Sequence, residues 1–201
     1  MAPGPPPKPD NLNSYDLPTH TYRAGDILYR IQDCKYDDPL HFGRSGSNRF
    51  DDPAGGFGVC YLAESKEGAF VETIGRQKLK VGVIPRRVVE EQEIIEVELE
   101  APLEVLDFDG PNLLKLGADA SITGGRDYEA SQAWSAAIAT HPDGVDGLRY
   151  RARHQTEEFS VAVFDGWKVD EHYSARGSGP IYEHHSAFLA EMIDTYNLAL
   201  A

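Results

Sequence analysis

One carboxylate and two arginines in the first half of the chain have the types and spacing to handle a phosphate-bearing substrate. Arg44 and Arg49 lie in a loop rich in Gly, Ser, Asn and Asp, which favour turns and leave backbone N–H groups free to point at an anion. Glu72 follows in a segment with helical periodicity. Such a loop can hold a phosphate, and a nearby carboxylate can stabilise positive charge that develops on the same substrate.

Glu72 is predicted to lie on the polar side of a short helix. Ser65 can cap this helix, with Glu67 in the first turn, where a negative charge suits the helix dipole. One buried face is formed by residues at i, i+1, i+4 and i+5, namely Ala69, Phe70, Thr73 and Ile74. A second interpretation is an ordinary surface ion pair between Glu72 and Arg76, which stabilises a helix by only about 0.3–0.5 kcal/mol. Taken alone, Glu72 favours this ion pair.

Two predicted strands carry the other candidate residues. Residues 25–32 (GDILYRIQ) alternate so that Tyr29 and Arg30 lie on opposite faces of the first strand. Residues 58–63 (GVCYLA) form the second strand and carry Tyr61. On its own, Arg30 is interpreted as a solvent-facing strand residue.

The ordered set of segments resembles the RES domain family, which is named for an arginine, a glutamate and a serine. In the first half the matching pieces are residues 27–31 (ILYRI), 48–50 (NRF) and 59–65 (VCYLAES), followed by Ala69 and Glu72. In the second half they are Trp134 with Ala137 and Ile138, then His141-Pro142, residues 145–154 (VDGLRYRARH) and residues 161–165 (VAVFD). The resemblance covers roughly residues 24–168.

By this resemblance, Arg30 is the family arginine and Glu72 the family glutamate, and both are expected to be catalytic. Arg49, Tyr29 and Tyr61 fall where the family places further substrate-binding residues. The serine position differs, because the family has Tyr-x-Ser where this chain has Tyr150-Arg151-Ala152. We therefore expect Ala152 to lie at the substrate site, where it cannot supply the hydroxyl group of the family serine.

The resemblance also implies a fold and an activity. The fold class is α+β, similar to ADP-ribosyltransferases, with mixed or antiparallel strands and a few flanking helices. The activity is that of a toxin that consumes NAD as a substrate, cleaves its nicotinamide–ribose bond as a glycohydrolase or phosphorylase, and is controlled by an Xre-type antitoxin. Two alternatives stay open: a protein ADP-ribosyltransferase, and an attenuated, non-catalytic nucleotide-binding or interaction module, which Ala152 favours.

Length and composition predict one domain with a decoration. The chain has 201 residues and 41% hydrophobic content, which suffice for one buried core. Residues 1–20 are predicted to be a flexible proline-rich arm that the chemistry does not need, and residues 21–201 a single RES-like domain with a C-terminal helix. The sequence has neither an apolar run near the roughly 20 residues of a membrane span nor an export leader, so we expect a cytoplasmic protein.

Charge and cysteine spacing argue against other classes. The net charge of -14 disfavours attraction to nucleic acid or anionic lipid, whereas a few converging arginines can still bind a small phosphate-bearing molecule. Cys34 and Cys60 lack CxxC spacing and are interpreted as buried thiols. Glutamates alternating on a predicted strand over residues 95–100 are interpreted as a solvated face and not as a metal site. The sequence predicts no metal centre.

Overall fold

A single sheet positions the candidate residues. The computed structural model describes residues 4–75, 83–167 and 172–201. The strands in these ranges are β1 Thr19–Tyr22, β2 Ile27–Asp33, β3 Val59–Ala63, β4 Gln92–Leu99, β5 Leu103–Asp107, β6 Gly147–Arg151, β7 Phe159–Phe164 and β8 Tyr173–Pro180. They are ordered β1-β5-β6-β7-β3-β2-β4-β8, and neighbours are antiparallel except for the parallel pair β5 and β6.

Short helices flank the sheet. They are α1 Lys66–Phe70, α2 Arg86–Glu90, α3 Pro111–Leu116, α4 Ser121–Gly124, α5 Glu129–Ala139, α6 Ile181–His184 and α7 Ser186–Thr195. The Ser65 side chain accepts a hydrogen bond from the Gly68 N–H at 2.8 Å, which confirms the predicted cap of α1. Directly after α1 the backbone widens into a π-helical turn, Val71–Gly75. No helix in the described part of the chain is long and apolar enough to cross a membrane.

β2 and β3 are paired near the C-terminal end of β3 and separate toward its N-terminal end. Among the described residues, their register pairs Tyr29 with Ala63 alone. Farther along, Val59 exchanges two backbone hydrogen bonds with Gly43, at N···O distances of 2.9 and 3.0 Å, and no longer faces β2. The divergence leaves an opening in the sheet, with Arg30 on its β2 side.

The two faces of the sheet are buried in separate clusters. Tyr29 packs with Phe70 of α1 on one face. Leu28 and Cys60 belong to the cluster on the opposite face, and Arg30 contacts Cys60 there. Tyr29 and Arg30 therefore lie on opposite faces, as the alternation of the strand predicted.

The proline-rich N-terminal segment is attached to the domain. Leu12 is 2% exposed and belongs to the core cluster that contains Trp134 of α5. The Trp134 indole N–H donates to the Pro6 carbonyl at 3.2 Å, and the His141 ring lies 3.1 Å from the Leu12 carbonyl. The boundary predicted at residue 20 falls inside β1, so the described part of this segment is continuous with the sheet.

Two of the alternating glutamates, Glu96 and Glu98, lie on β4, as expected of a half-exposed strand, and Glu100 follows its last residue. Glu96 and Glu98 are partly exposed and form ion pairs with Lys66 at 2.7 Å and with Arg176 at 3.5 Å. Ile95 and Val97, which alternate with them along the strand, are fully buried. Each of these two carboxylates is therefore engaged at the surface by a cation of a neighbouring element.

The two cysteines differ in exposure. Cys60 is buried, as predicted, whereas Cys34 is exposed, so the prediction of a buried thiol is wrong for Cys34. The reason is its place in the chain, because β2 ends at Asp33 and the backbone turns outward there.

Candidate active site

A cavity of about 350 Å³ lies where β2 and β3 diverge. Its volume falls within the roughly 300–1,000 Å³ that is common for ligand pockets. The residues predicted from the sequence that line it are Tyr29, Arg30, Arg49, Tyr61 and Glu72. Residues distant in sequence thus meet in one place, while Ala152 does not line the cavity.

Glu72 is presented by the π-helical turn after α1, a type of turn that is frequent at functional sites. Its Oε1 accepts a hydrogen bond from the backbone N–H of Arg153 at 2.9 Å. The side chain is half-buried, so this contact orients the carboxylate at the cavity wall. Arg76, its alternative partner, lies outside the described residues.

Arg30 reaches across the opening between the two strands. Its Nη1 donates to the His41 carbonyl at 3.2 Å and to the Cys60 Sγ at 3.1 Å. Burial raises the pKa of the Cys60 thiol and the nearby Arg30 guanidinium opposes that effect, so the thiol is a neutral acceptor. A guanidinium has five N–H donors in a fixed fork, and its other nitrogens can therefore serve a ligand.

Arg49 is a buried cation at the cavity wall. Its side chain is 8% exposed, its Nη1 donates to the Ile122 carbonyl at 3.1 Å, and its guanidinium lies 4.7 Å from the centroid of the Tyr128 ring. Burial lowers the pKa of this guanidinium. Across residues 4–75, 83–167 and 172–201 it forms no ion pair. A buried cation in this state is suited to an anionic ligand.

The loop before β3 does not form the open phosphate cradle that its composition suggested. Arg44 points away from the cavity, donates to the Gly55 carbonyl at 2.7 Å and forms an ion pair with Asp165. The buried Asp51 carboxylate accepts from the Asn48 N–H at 3.1 Å. Because internal carboxylates satisfy the donors of the loop, only Arg49 of its two arginines reaches the cavity.

Tyr61 and Tyr29 line the cavity in different ways. The Tyr61 hydroxyl donates to Asp51 and accepts from the Phe50 N–H, both at 3.0 Å, and burial raises the pKa of this phenol. Tyr61 thereby ties the loop to β3. Tyr29 is half-buried, with the Lys66 ammonium 5.6 Å from its ring centroid. Both side chains belong to the cavity lining.

Tyr150 on β6 is a cavity residue that the sequence analysis did not select. It is 6% exposed and makes an edge-to-face contact with Phe50 at a centroid distance of 4.7 Å. Burial raises the pKa of its phenol, the charge of Glu72 raises it further, and Arg49 lowers it. The hydroxyl therefore lies within the field of both charged candidates. Its sequence signal was its place two residues before the family serine position.

Ala152 follows the last residue of β6, Arg151, and is not part of the cavity lining. Ala152 is fully buried, and its N–H donates to the Glu158 carbonyl at 2.9 Å. Ser160 lines the cavity instead, although the sequence analysis had not selected it. Its position became apparent only through the pairing of β7 with β6, which the sequence does not specify.

The site combines one oriented carboxylate with several cations. Arg153 joins Arg30 and Arg49 in the cavity lining, so among the described lining residues three guanidinium groups accompany the carboxylate of Glu72. Guanidinium groups bind phosphate oxygens as planar, multidentate donors. The carboxylate can accept hydrogen bonds from sugar hydroxyls and stabilise a developing cation. Among the described residues no cluster of three or more His, Cys, Asp or Glu is arranged to hold a metal ion.

Comparison with known proteins gives consistent matches. A family model described as RES domain matches residues 27–180. "Probable toxin y4kH" of Sinorhizobium fredii (strain NBRC 101917 / NGR234) is 25% identical over 121 residues, which are 59% of this chain and 92% of that protein. The crystal structure of the M. tuberculosis MbcT–MbcA toxin-antitoxin complex matches with a TM-score of 0.62 and 19% identity, over 83% of this chain and 92% of that chain.

The family match and the structural likeness confirm the predicted fold class, an α+β fold similar to ADP-ribosyltransferases. The family model extends from the first residue of β2 to the last residue of β8 and so includes every strand that borders the cavity. The chain therefore belongs to the RES domain family.

Proposed function

We propose that this protein is a toxin of a toxin–antitoxin pair that cleaves the nicotinamide–ribose bond of NAD. The acceptor of the ribosyl group is water in a glycohydrolase or inorganic phosphate in a phosphorylase. Membership in the RES domain family and the similarity to the S. fredii protein, a probable toxin, support the assignment as a toxin. The site supports the chemistry.

The observation that carries the proposal is the meeting of Glu72 and Arg49 in one cavity. Arg49 is a buried cation, and Glu72 is a half-buried carboxylate held by a backbone N–H. NAD offers a matching pair of groups, a pyrophosphate for the cation and a ribose for the carboxylate. The net charge of the chain is -14, so this local positive field is a property of the cavity and not of the whole surface.

Each residue has a role in the proposed reaction. Nicotinamide leaves with the bonding electrons, and the ribose becomes oxocarbenium-like in the transition state. Glu72 accepts hydrogen bonds from ribose hydroxyls and stabilises the positive charge, while Arg49 and Arg30 hold the pyrophosphate. Tyr29 and Tyr61 provide walls for the planar nicotinamide. The protein supplies these groups without a resident cofactor, because NAD is the substrate.

A protein antitoxin is the proposed partner. The matched M. tuberculosis structure is a toxin-antitoxin complex, which supports a partner of the same kind for this chain. We propose an Xre-type antitoxin that covers the cavity, and action in the cytoplasm, where NAD is available.

Release of nicotinamide from NAD by the purified chain, with and without inorganic phosphate, tests the activity. We expect release by the native chain and its loss in Glu72→Gln, which keeps the shape of the side chain but removes its charge. Glu67→Gln is the matched control, because Glu67 lies on α1 and is bonded by Tyr196 away from the cavity lining. A rate that depends on phosphate identifies a phosphorylase.

Two other results would redirect the assignment. A mass increase of ADP-ribose on a target protein, without bulk loss of NAD, would identify a protein ADP-ribosyltransferase. Binding of NAD without any turnover would identify a non-catalytic nucleotide-binding module. Equal release by native chain and Glu72→Gln would refute the role of the carboxylate.

A further inference from the structure

Four side chains form a row across the sheet at the floor of the cavity. Tyr150 on β6 is paired with Ser160 on β7, Ser160 with Ala63 on β3, and Ala63 with Tyr29 on β2. Directly paired residues project to the same face of a sheet. All four line the cavity.

The row has large side chains at its ends and small ones in its centre. Strands are spaced by about 4.8 Å, so Tyr150 and Tyr29 are about 14 Å apart across three spacings. Ser160 and Ala63 lie between them and leave a depression with a tyrosine at each end. A sugar or a planar ring that enters the cavity therefore meets Ser160 at the bottom.

Of the two small residues in this depression, Ser160 has a hydroxyl group and Ala63 does not. Its side chain is 3% exposed and interacts with the Tyr150 phenol, which also lies in the field of the charged Glu72 and Arg49 side chains. Ser135 of α5 is buried in a different setting, because its hydroxyl donates to the Phe50 carbonyl at 2.7 Å within the core. The hydroxyl of Ser160 instead faces the groups that are proposed to bind the nucleotide.

We propose that Ser160 is a substrate-binding residue whose hydroxyl, together with that of Tyr150, hydrogen-bonds a ribose hydroxyl beside Glu72 and replaces a hydroxyl at residue 152. The inference rests on the proposed function, because it names the group that holds the ribose of NAD. A serine hydroxyl both donates and accepts, which matches a sugar hydroxyl. Ala152 is fully buried and lies outside the cavity lining, so its methyl group is compatible with an intact site.

Kinetics of nicotinamide release by four variants test the proposal. Ser160→Ala should lower kcat/KM about tenfold, the effect of one lost hydrogen bond to the substrate. Ser160→Thr, which keeps the hydroxyl, should stay within about threefold of the native value. Ser135→Ala should leave kcat/KM unchanged while lowering Tm. Ala152→Ser should bring no gain.

Two patterns would overturn the proposal. One is a Ser160→Ala variant that matches Ser135→Ala, with lower Tm and native kcat/KM. The other is a tenfold gain in kcat/KM from Ala152→Ser, which would show that a hydroxyl at residue 152 contacts the substrate.

Calorimetric binding of NAD to the same variants separates this inference from the proposed function. If the native chain releases no nicotinamide, the proposed cleavage fails, and Ser160 is judged by affinity alone. A tenfold weaker Kd in Ser160→Ala than in Ser135→Ala then supports Ser160 as a binding residue, and equal Kd values overturn it. A native chain that neither cleaves nor binds NAD overturns both proposals.

Discussion

Replacing Arg49 with methionine should separate the stability of the fold from its capacity to bind a nucleotide. The buried guanidinium donates to the Ile122 carbonyl and stacks on Tyr128, and no residue in the described ranges forms an ion pair with it. Burial lowers the pKa of Arg49, which means that the fold disfavours the charged form. The cation is thus held at an energetic cost that a bound anion would offset.

The contributions of Arg49 to stability nearly cancel. Its hydrogen bond as a charged donor is worth about 1.5–3 kcal/mol and the contact with Tyr128 about 0.5–2 kcal/mol. Desolvation of the charge costs several kcal/mol in the opposite direction. The Ile122 carbonyl also accepts from the Ser131 hydroxyl at 2.6 Å, so the substitution does not leave it unpaired. We therefore expect Arg49→Met to change the free energy of unfolding by about 1 kcal/mol or less.

Ligand binding should respond far more strongly to the same change. ADP-ribose keeps the pyrophosphate and has no nicotinamide bond to cleave, so it is a stable probe. At 100 times its Kd it should stabilise the native chain by about 2.7 kcal/mol, a rise in Tm of roughly 5–10 °C for a chain of this size. In Arg49→Met that rise should disappear, because the buried donor for the pyrophosphate is gone.

Thermal unfolding followed by circular dichroism, with and without ADP-ribose, measures both quantities. Arg44→Met is the control, because Arg44 comes from the same loop but is exposed and paired with Asp165 outside the cavity. It should keep the full rise in Tm. The reasoning is refuted if Arg49→Met loses about 3 kcal/mol or more of stability, or if it retains the full rise with ADP-ribose.

Three further variants, two substitutions and one deletion, test how the fold supports the site. Arg149→Met, which removes the 2.6 Å ion pair with Glu64, should lower the free energy of unfolding by about 3 kcal/mol in urea titrations, and a loss below about 1 kcal/mol would contradict this. Deletion of residues 1–18 removes the buried Leu12 and should destabilise by about 3 kcal/mol, with unchanged nicotinamide release per folded molecule well below Tm. Ser65→Ala should cost about 1 kcal/mol, seen as a Tm lower by roughly 2–4 °C, and should slow nicotinamide release because α1 leads directly to the turn that carries Glu72.

Local features of the fold were readable from the sequence because neighbouring residues determine them. The alternation of residues 25–32 predicted β2 and the opposite faces of Tyr29 and Arg30. Ser65 caps its helix because a serine side chain meets the free N–H groups of the first turn. Trp134 and Ile138 are four residues apart on α5, and both are buried on its apolar face.

The composition of the cavity was less readable, because long-range pairing determines it. Tyr150 and Ser160 enter the site through strand register, which no local pattern fixes. Arg44 and Arg49 share one loop, yet Asp165 at the end of β7 engages Arg44 and draws it away from the cavity. An equivalent carboxylate does not reach Arg49 among the described residues, and this difference depends on tertiary structure alone.

The contact between Glu72 and Arg153 explains how the chain can accept alanine at residue 152. That contact uses the backbone N–H of Arg153, which every residue except proline provides. The side chain at residue 152 is not part of it, and the N–H of Ala152 is bonded to Glu158. The position of Glu72 is therefore insensitive to the loss of a side-chain hydroxyl at residue 152. A hydroxyl for the substrate must then come from another residue of the cavity wall, and the floor position of Ser160 satisfies that requirement.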